Sequence, residues 1–190
     1  MILQGLVNVL IGTAVSLVFF QSALLAQTRT YVSSQFKYKL TVPTHWNIEV
    51  SGSGVPVIFN YALSEGGPQG LFPENGANIF LIPLEAVKVV TGASTMDEWI
   101  RRNLAADHKN VTIRHIPSPS GSDRAPQNVV EVQADFERNP QDDQLQRELD
   151  FYFTLRGSMF RLMLVYWKDS PHAAELRSAC ESILRSIRSA

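Results

Sequence analysis

Apolar and polar side chains alternate with a period of two through much of this chain, and each run predicts a strand. Phe36, Tyr38, Leu40 and Val42 alternate with Lys37, Lys39 and Thr41, the pattern of a half-buried strand. Pro43 to Trp46 ends it in a turn. Residues 47–51 and 55–61 predict two short strands around Gly52-Ser53-Gly54. Residues 62–75 hold three Gly and two Pro and read as a long irregular loop, after which 76–84 returns to strand. Residues 111–116 predict another strand, followed by a second loop over 117–127. Val130, Val132, Ala134 and Phe136 line one face of the next strand, and the turn 139–143 follows. Leu149, Phe151, Phe153 and Leu155 line one strand; Phe160, Leu162, Leu164 and Tyr166 line another. Arg156-Gly157-Ser158 joins them, so 147–167 predicts a β-hairpin.

Two stretches change to the helical period. Thr95 and Glu98 form a capping box, and Met96, Trp99, Ile100 and Leu104 make one apolar stripe behind it. Asp97 with Arg101 and Glu98 with Arg102 are acid-before-base pairs four apart, the favoured order. Near the end, Ser170 reads as an N-cap with Pro171 at the first helical position. Leu176, Cys180, Ile183, Leu184 and Ile187 form the stripe of that last helix, with Arg185 and Arg188 in its final turn. Strands and helices in this order predict an α+β fold.

The leading segment follows a different pattern. No charged side chain occurs before Arg29, and 18 of the first 26 residues are apolar. Residues 10–20 have the length of a signal-peptide hydrophobic region, and 21–26 supply a more polar, smaller-residue end with Ala26 at the cleavage position. Alternatively, Leu6 to Ala26 is long enough to cross a bilayer uncleaved. Arg29, Lys37 and Lys39 follow the apolar run instead of preceding it, against the usual bias of exported chains. Residues 1–26 are therefore expected to be a signal peptide or membrane anchor. Residues 27–190 are expected to form a single domain working outside the cytoplasm, periplasmic or secreted, or anchored at its N-terminus.

Composition narrows the task. Seventeen basic and eighteen acidic residues leave a net charge of −1, which argues against nucleic acid as a partner. Cys180 is the single cysteine, so no internal disulfide forms, and its place on a helical stripe predicts a small buried hydrophobe. His45, His108, His115 and His172 lack zinc-ligand spacing. Gly52-Ser53-Gly54 lacks the setting of a serine nucleophile, and no phosphate-cradling glycine motif occurs. Asn110-Val111-Thr112 matches a glycosylation acceptor, relevant only in a eukaryotic secretory path.

Two groups of side chains remain as candidates. Glu131, Asp135 and Glu137 share the polar face of one predicted strand, and Glu148 and Asp150 that of the next. Converging on one sheet face, Glu131, Asp135, Glu148 and Asp150 would suit calcium, which takes six or more oxygens. The competing expectation is that Arg147 and Arg161 neutralise them as cross-strand ion pairs. The second group is the long loop with Leu71, Phe72 and Asn75, together with His45 beside the Trp46 turn. Long loops in small domains are often functional, and an apolar tip suits contact with a partner. The three tryptophans, Trp46, Trp99 and Trp167, read chiefly as core anchors.

The strand F-x-Y-x-L-x-V-P with Trp46 after it, the Asp97-Glu98-Trp99 helix start, and the late hairpin leading into a helix through Ile183 to Arg188 together resemble the PsbP/Mog1-like fold group. Its exported bacterial members are of unknown function. The resemblance covers nearly all of residues 31–188. It implies an antiparallel sheet of about six strands with helices on both faces, an α/β/α sandwich. It also implies an accessory, non-enzymatic role, as in a luminal photosystem II subunit or a small-GTPase partner. The leading segment is not Arg- or Ser-rich like a plastid transit peptide, which speaks against the photosystem role, and an export signal does not fit the GTPase one. The expectation is thus an exported interaction module that binds an envelope protein or small ligand without chemistry. The alternative is a cation-dependent accessory protein or weak hydrolase using the acidic strands.

Overall fold

A computed structural model describes residues 27–62, 73–104, 108–137 and 145–190. The elements are β1 (Thr28–Ser33), β2 (Tyr38–Pro43), β3 (Asn47–Val50), β4 (Pro56–Phe59), β5 (Ala77–Pro83), α1 (Leu84–Thr91), α2 (Met96–Leu104), β6 (His108–His115), β7 (Gln127–Phe136), β8 (Gln146–Leu155), β9 (Ser158–Trp167), α3 (Ala173–Ser186) and β10 (Arg188–Ser189). Seven strands form one antiparallel sheet in the order β3-β4-β5-β9-β8-β7-β6. Strands β1, β2 and β10 form a second, small sheet. This is the expected α+β architecture, with seven strands in the main sheet instead of six.

The hairpin β8–β9 holds the centre. Arg156 (φ 49°) and Gly157 (φ 80°) form its two-residue loop, the paired left-handed geometry that continues strand twist. On one face, Leu149, Phe151, Phe153, Phe160, Leu162 and Leu164 meet Ile79 and Leu81 of β5, Tyr38, Leu40 and Val42 of β2, and the α3 stripe Leu176, Cys180, Ile183 and Leu184. On the other face, Tyr152, Val130 and Val132 meet Leu84 of α1 and Trp99 and Ile100 of α2. The Trp99 indole stands edge-on to the Tyr152 ring at 5.5 Å between centroids. Helices therefore cover both sides of the sheet.

Several elements depart from the sequence reading. Strand β1 pairs with β2 and was not anticipated, because Arg29-Thr30-Tyr31 carries little apolar alternation. Helix α1 arises from a run rich in β-branched residues, Val87, Val89 and Val90, which favours strand by propensity. Gly92 at φ 60° closes it, its amide bonding the Lys88 carbonyl. Helix α3 begins at Ala173 with His172 at the N-cap position, not at Ser170. The Ser170 hydroxyl instead accepts the His172 amide at 3.3 Å, bracing the turn before the helix. That helix stops at Ser186, and the next residues pair with β2 as β10. The Thr95–Glu98 capping box is present in both directions, each bond 3.2 Å long.

Leu162 is completely buried between β2, β5 and β8. Leu162→Ala should lower unfolding free energy by about 2–5 kcal/mol in urea titrations, since it leaves a cavity at the centre of the larger core. A loss below about 1 kcal/mol would show that this position repacks and that the core is centred elsewhere.

Candidate functional site

The β-turn after β2 is the first wall of a groove. The Trp46 amide bonds the Pro43 carbonyl at 3.0 Å, closing the turn, and the Thr44 amide bonds the Gln27 carbonyl at 2.7 Å. Arg29 donates to the Trp46 carbonyl at 2.6 Å, tying β1 to the same turn. Trp46 is buried and His45 is exposed beside it. The second wall is the loop into β5. Asn60 donates to the Asn75 carbonyl at 3.2 Å and accepts the Ala77 amide at 2.8 Å, so one amide side chain clamps β4 to the chain arriving at β5. The third wall is the first half of α3.

These three walls enclose a groove of about 770 Å³. Pro43, His45, Trp46, Asn60 and Asn75 line one side, and His172, Ala174, Glu175, Leu176, Ser178, Ala179 and Ser182 the other. The groove exists because Ala174, Ser178 and Ser182 stand one helical turn apart on α3 with side chains too small to fill it. Its volume falls in the range of small-molecule sites. His172 and Glu175 meet at 3.1 Å along the α3 side of the rim. Apolar surface from Pro43, Ala174 and Ala179 thus lies among imidazole, amide, hydroxyl and carboxylate groups. Such a site can hold an amphipathic ligand by shape and hydrogen bonds.

His45, Trp46 and Asn75, three of the contact candidates from the sequence, all line this groove. Leu71 and Phe72 lie outside the described residues. Sequence reasoning missed the α3 wall and Asn60. The signal available was Ala174, Ser178 and Ser182 at four-residue spacing on the polar side of the helix, beside the Leu176–Cys180–Ile183 stripe.

The acidic residues do not gather as a calcium site would require. The β7–β8 register sets Ala134 opposite Glu148 and Val132 opposite Asp150, while Glu131 sits opposite Phe151 and Asp135 opposite Arg147. Glu131 and Asp135 therefore point to the α3 side of the sheet, and Glu148 and Asp150 to the α2 side. Four carboxylates on opposite faces cannot ligate one ion. Among the described residues, no group of three or more His, Cys, Asp or Glu is placed to hold a metal.

Arginines meet these acids instead. Arg114 forms a two-bonded fork on Glu131 with both distances 2.9 Å, and Arg177 of α3 adds a third bond at 2.9 Å. Arg147 holds Asp135 at 2.8 Å, with Asn110 at 2.9 Å and Lys168 at 3.4 Å. On the other face, Arg161 forks onto Asp150 at 2.8 and 2.9 Å and reaches Glu148 at 2.5 Å. It also donates to Asn103 of α2 at 2.8 Å, and Asn103 donates to Glu148 at 3.1 Å. Burial opposes ionisation of Glu148, but the His108 hydrogen bond and the Arg161 charge outweigh it and hold its carboxyl down at about 2. Complete burial is the largest influence on Asp150 and pushes its carboxyl well above the usual range, with the Glu148 charge adding and Arg161 opposing. This cluster is a buried structural clamp joining α2 to the sheet. Cys180 is buried and its thiol is pushed far up by desolvation, so it is a hydrophobe of the core, as its place on the stripe predicts.

No family model and no curated protein matches the chain. Among solved structures, it is similar to the solution structure of cyanobacterial PsbP (CyanoP) from Synechocystis, with TM-score 0.45 and 13% identity over 89% of this chain and 96% of that one. It is also similar to LpqN, involved in cell envelope biogenesis of Mycobacterium tuberculosis, with TM-score 0.43 and 14% identity over 85% of this chain and 90% of that one. A protein from Bacteroides thetaiotaomicron matches at TM-score 0.42 and 10% identity, over 86% of this chain and 49% of that one. The assignment of the fold rests on strand order and register, not on these scores.

Two outcomes test the buried clamp. Arg161→Leu should cost about 3–5 kcal/mol in denaturant unfolding, because it leaves the Glu148 carboxylate and the Asp150 carboxyl buried without the guanidinium that bonds both. Glu148 has a lowered folded pKa, so its stabilisation is complete above its unfolded value near 4.5 and is lost as pH falls toward about 2. Glu148→Gln should therefore show a shallower loss of stability than the parent between those two pH values. Parallel curves would mean that Glu148 is not held ionised by its neighbours.

Proposed function

We propose that this protein is a non-catalytic interaction module of the cell envelope. It binds a protein partner or small ligand in the groove between the Trp46 turn and α3, outside the cytoplasm, with residues 1–26 directing its export or anchoring it. The observation that carries this reading is the groove itself: an amphipathic site of small-molecule size, lined by residues whose chemistry suits recognition. The arginine-saturated acids support it from the other side, because their lone pairs are already committed to holding helices against the sheet. Leu71 and Phe72 precede Pro73 and Asn75 in the chain, so the apolar pair is joined by a short stretch to the groove's second wall.

Ser178 is exposed and lines the groove, so Ser178→Trp fills it while leaving the core intact. Used as bait on a native envelope fraction, that variant should retain at most a tenth of what the parent retains. Its melting temperature should move by only a few degrees, as surface changes of about 0.5 kcal/mol do. Equal retention by both proteins would remove the groove as the binding site. Replacing Leu71 and Phe72 together by Ser should likewise weaken capture with the melting temperature nearly unchanged. A large destabilisation would show that the pair belongs to the core.

A further inference from the structure

We infer that, in the form of the chain that keeps residues 1–26, the groove faces a bilayer and takes the headgroup of a zwitterionic phospholipid. This rests on the groove reading above and adds the chemistry of the occupant.

Gln27 is bonded through its carbonyl to Thr44, Thr28 pairs with Pro43, and Arg29 holds the Trp46 carbonyl. The first three described residues are thus pinned to the turn that supplies Pro43, His45 and Trp46 to the groove. An uncharged run, Leu6 to Ala26, is joined to Gln27 without a spacer. One residue reaches at most about 3.6 Å, so a bilayer holding that run lies against this end of the domain. The opposite end carries the β8–β9 turn at Arg156-Gly157, a strand length away.

The lining itself selects by charge. Among the described lining residues there is no Lys or Arg, so an anionic headgroup would find no fixed positive charge. Glu175 offers an exposed carboxylate that can pair with a headgroup ammonium. His45, His172, Ser178 and Ser182 offer donors to a phosphate. Pro43, Ala174 and Ala179 supply apolar surface to the glycerol end. A zwitterion satisfies both kinds of wall at once.

The test uses the full chain in phosphatidylcholine vesicles whose headgroups carry a nitroxide. Fluorophores are placed through Thr44→Cys, beside the groove, and Arg156→Cys, at the far end; buried Cys180 stays unlabelled. Quenching at position 44 should exceed that at 156 at least threefold. The nitroxide spectrum should show about one motionally restricted lipid per chain, lost in Ser178→Trp and weaker when phosphatidylglycerol replaces phosphatidylcholine. Equal quenching at the two positions, a restricted signal indifferent to Ser178→Trp, or a preference for phosphatidylglycerol would overturn the inference. So would intact masses from native membranes that all lack residues 1–26. If quenching is equal while Ser178→Trp still abolishes envelope capture, the groove stands and only its lipid occupant falls.

Discussion

The constraint on which the rest depends is that the central hairpin has no face left for water. In β8 and β9 both sets of alternating side chains are buried, one against α3 and the small sheet, the other against α1 and α2. A ten-residue strand buried on both faces must be covered on both faces, and this forces the three-layer arrangement. It also leaves the charged groups on these strands to find their partners inside the protein. Arg161, Glu148 and Asp150 do so as one cluster.

That cluster and its counterpart across the sheet determine how the helices sit. Asn103 couples α2 to Arg161, and Arg177 couples α3 to Glu131. Apolar packing alone tolerates sliding of a helix along its stripe, whereas a fork of charged hydrogen bonds fixes one position. Ser186, at the end of α3, accepts the Thr41 amide at 2.9 Å and fastens that end to β2. With α3 held at both ends, Ala174, Ser178 and Ser182 are set opposite the Trp46 turn at a separation that leaves a groove. The shape of the groove is thus a consequence of ionic clamps that do not line it.

Three of the twelve described residues that line the groove, His45, Trp46 and Asn75, carry a local signal in the chain. Trp46 after Pro43 marks an aromatic at a turn, and Asn75 closes a long loop, both signals that need only a few neighbouring residues to read. The α3 wall was not legible as a site, because Ala174, Ser178 and Ser182 look like the ordinary exposed side of an amphipathic helix until something stands across from them. The acids mislead for a related reason. Alternation tells which residues of one strand share a side, but not which side of a neighbouring strand they join. Glu131 and Asp135 against Glu148 and Asp150 is a case where that choice separates the two pairs.

What the amino-acid order determined by itself is local. It set the alternation of β2, β7, β8 and β9, the hairpin turn at Arg156-Gly157, the Thr95–Glu98 cap, the apolar stripes of α2 and α3, and the burial of Cys180. Each follows from interactions between residues within a turn or a strand of one another. The tertiary structure alone decided that β1 and β10 flank β2, that Val87, Val89 and Val90 lie in a helix, which arginine meets which acid, and that a groove opens beside α3. Those outcomes depend on register between segments far apart in the chain, where one residue of slip exchanges the two faces of a strand and no nearby side chain records the choice.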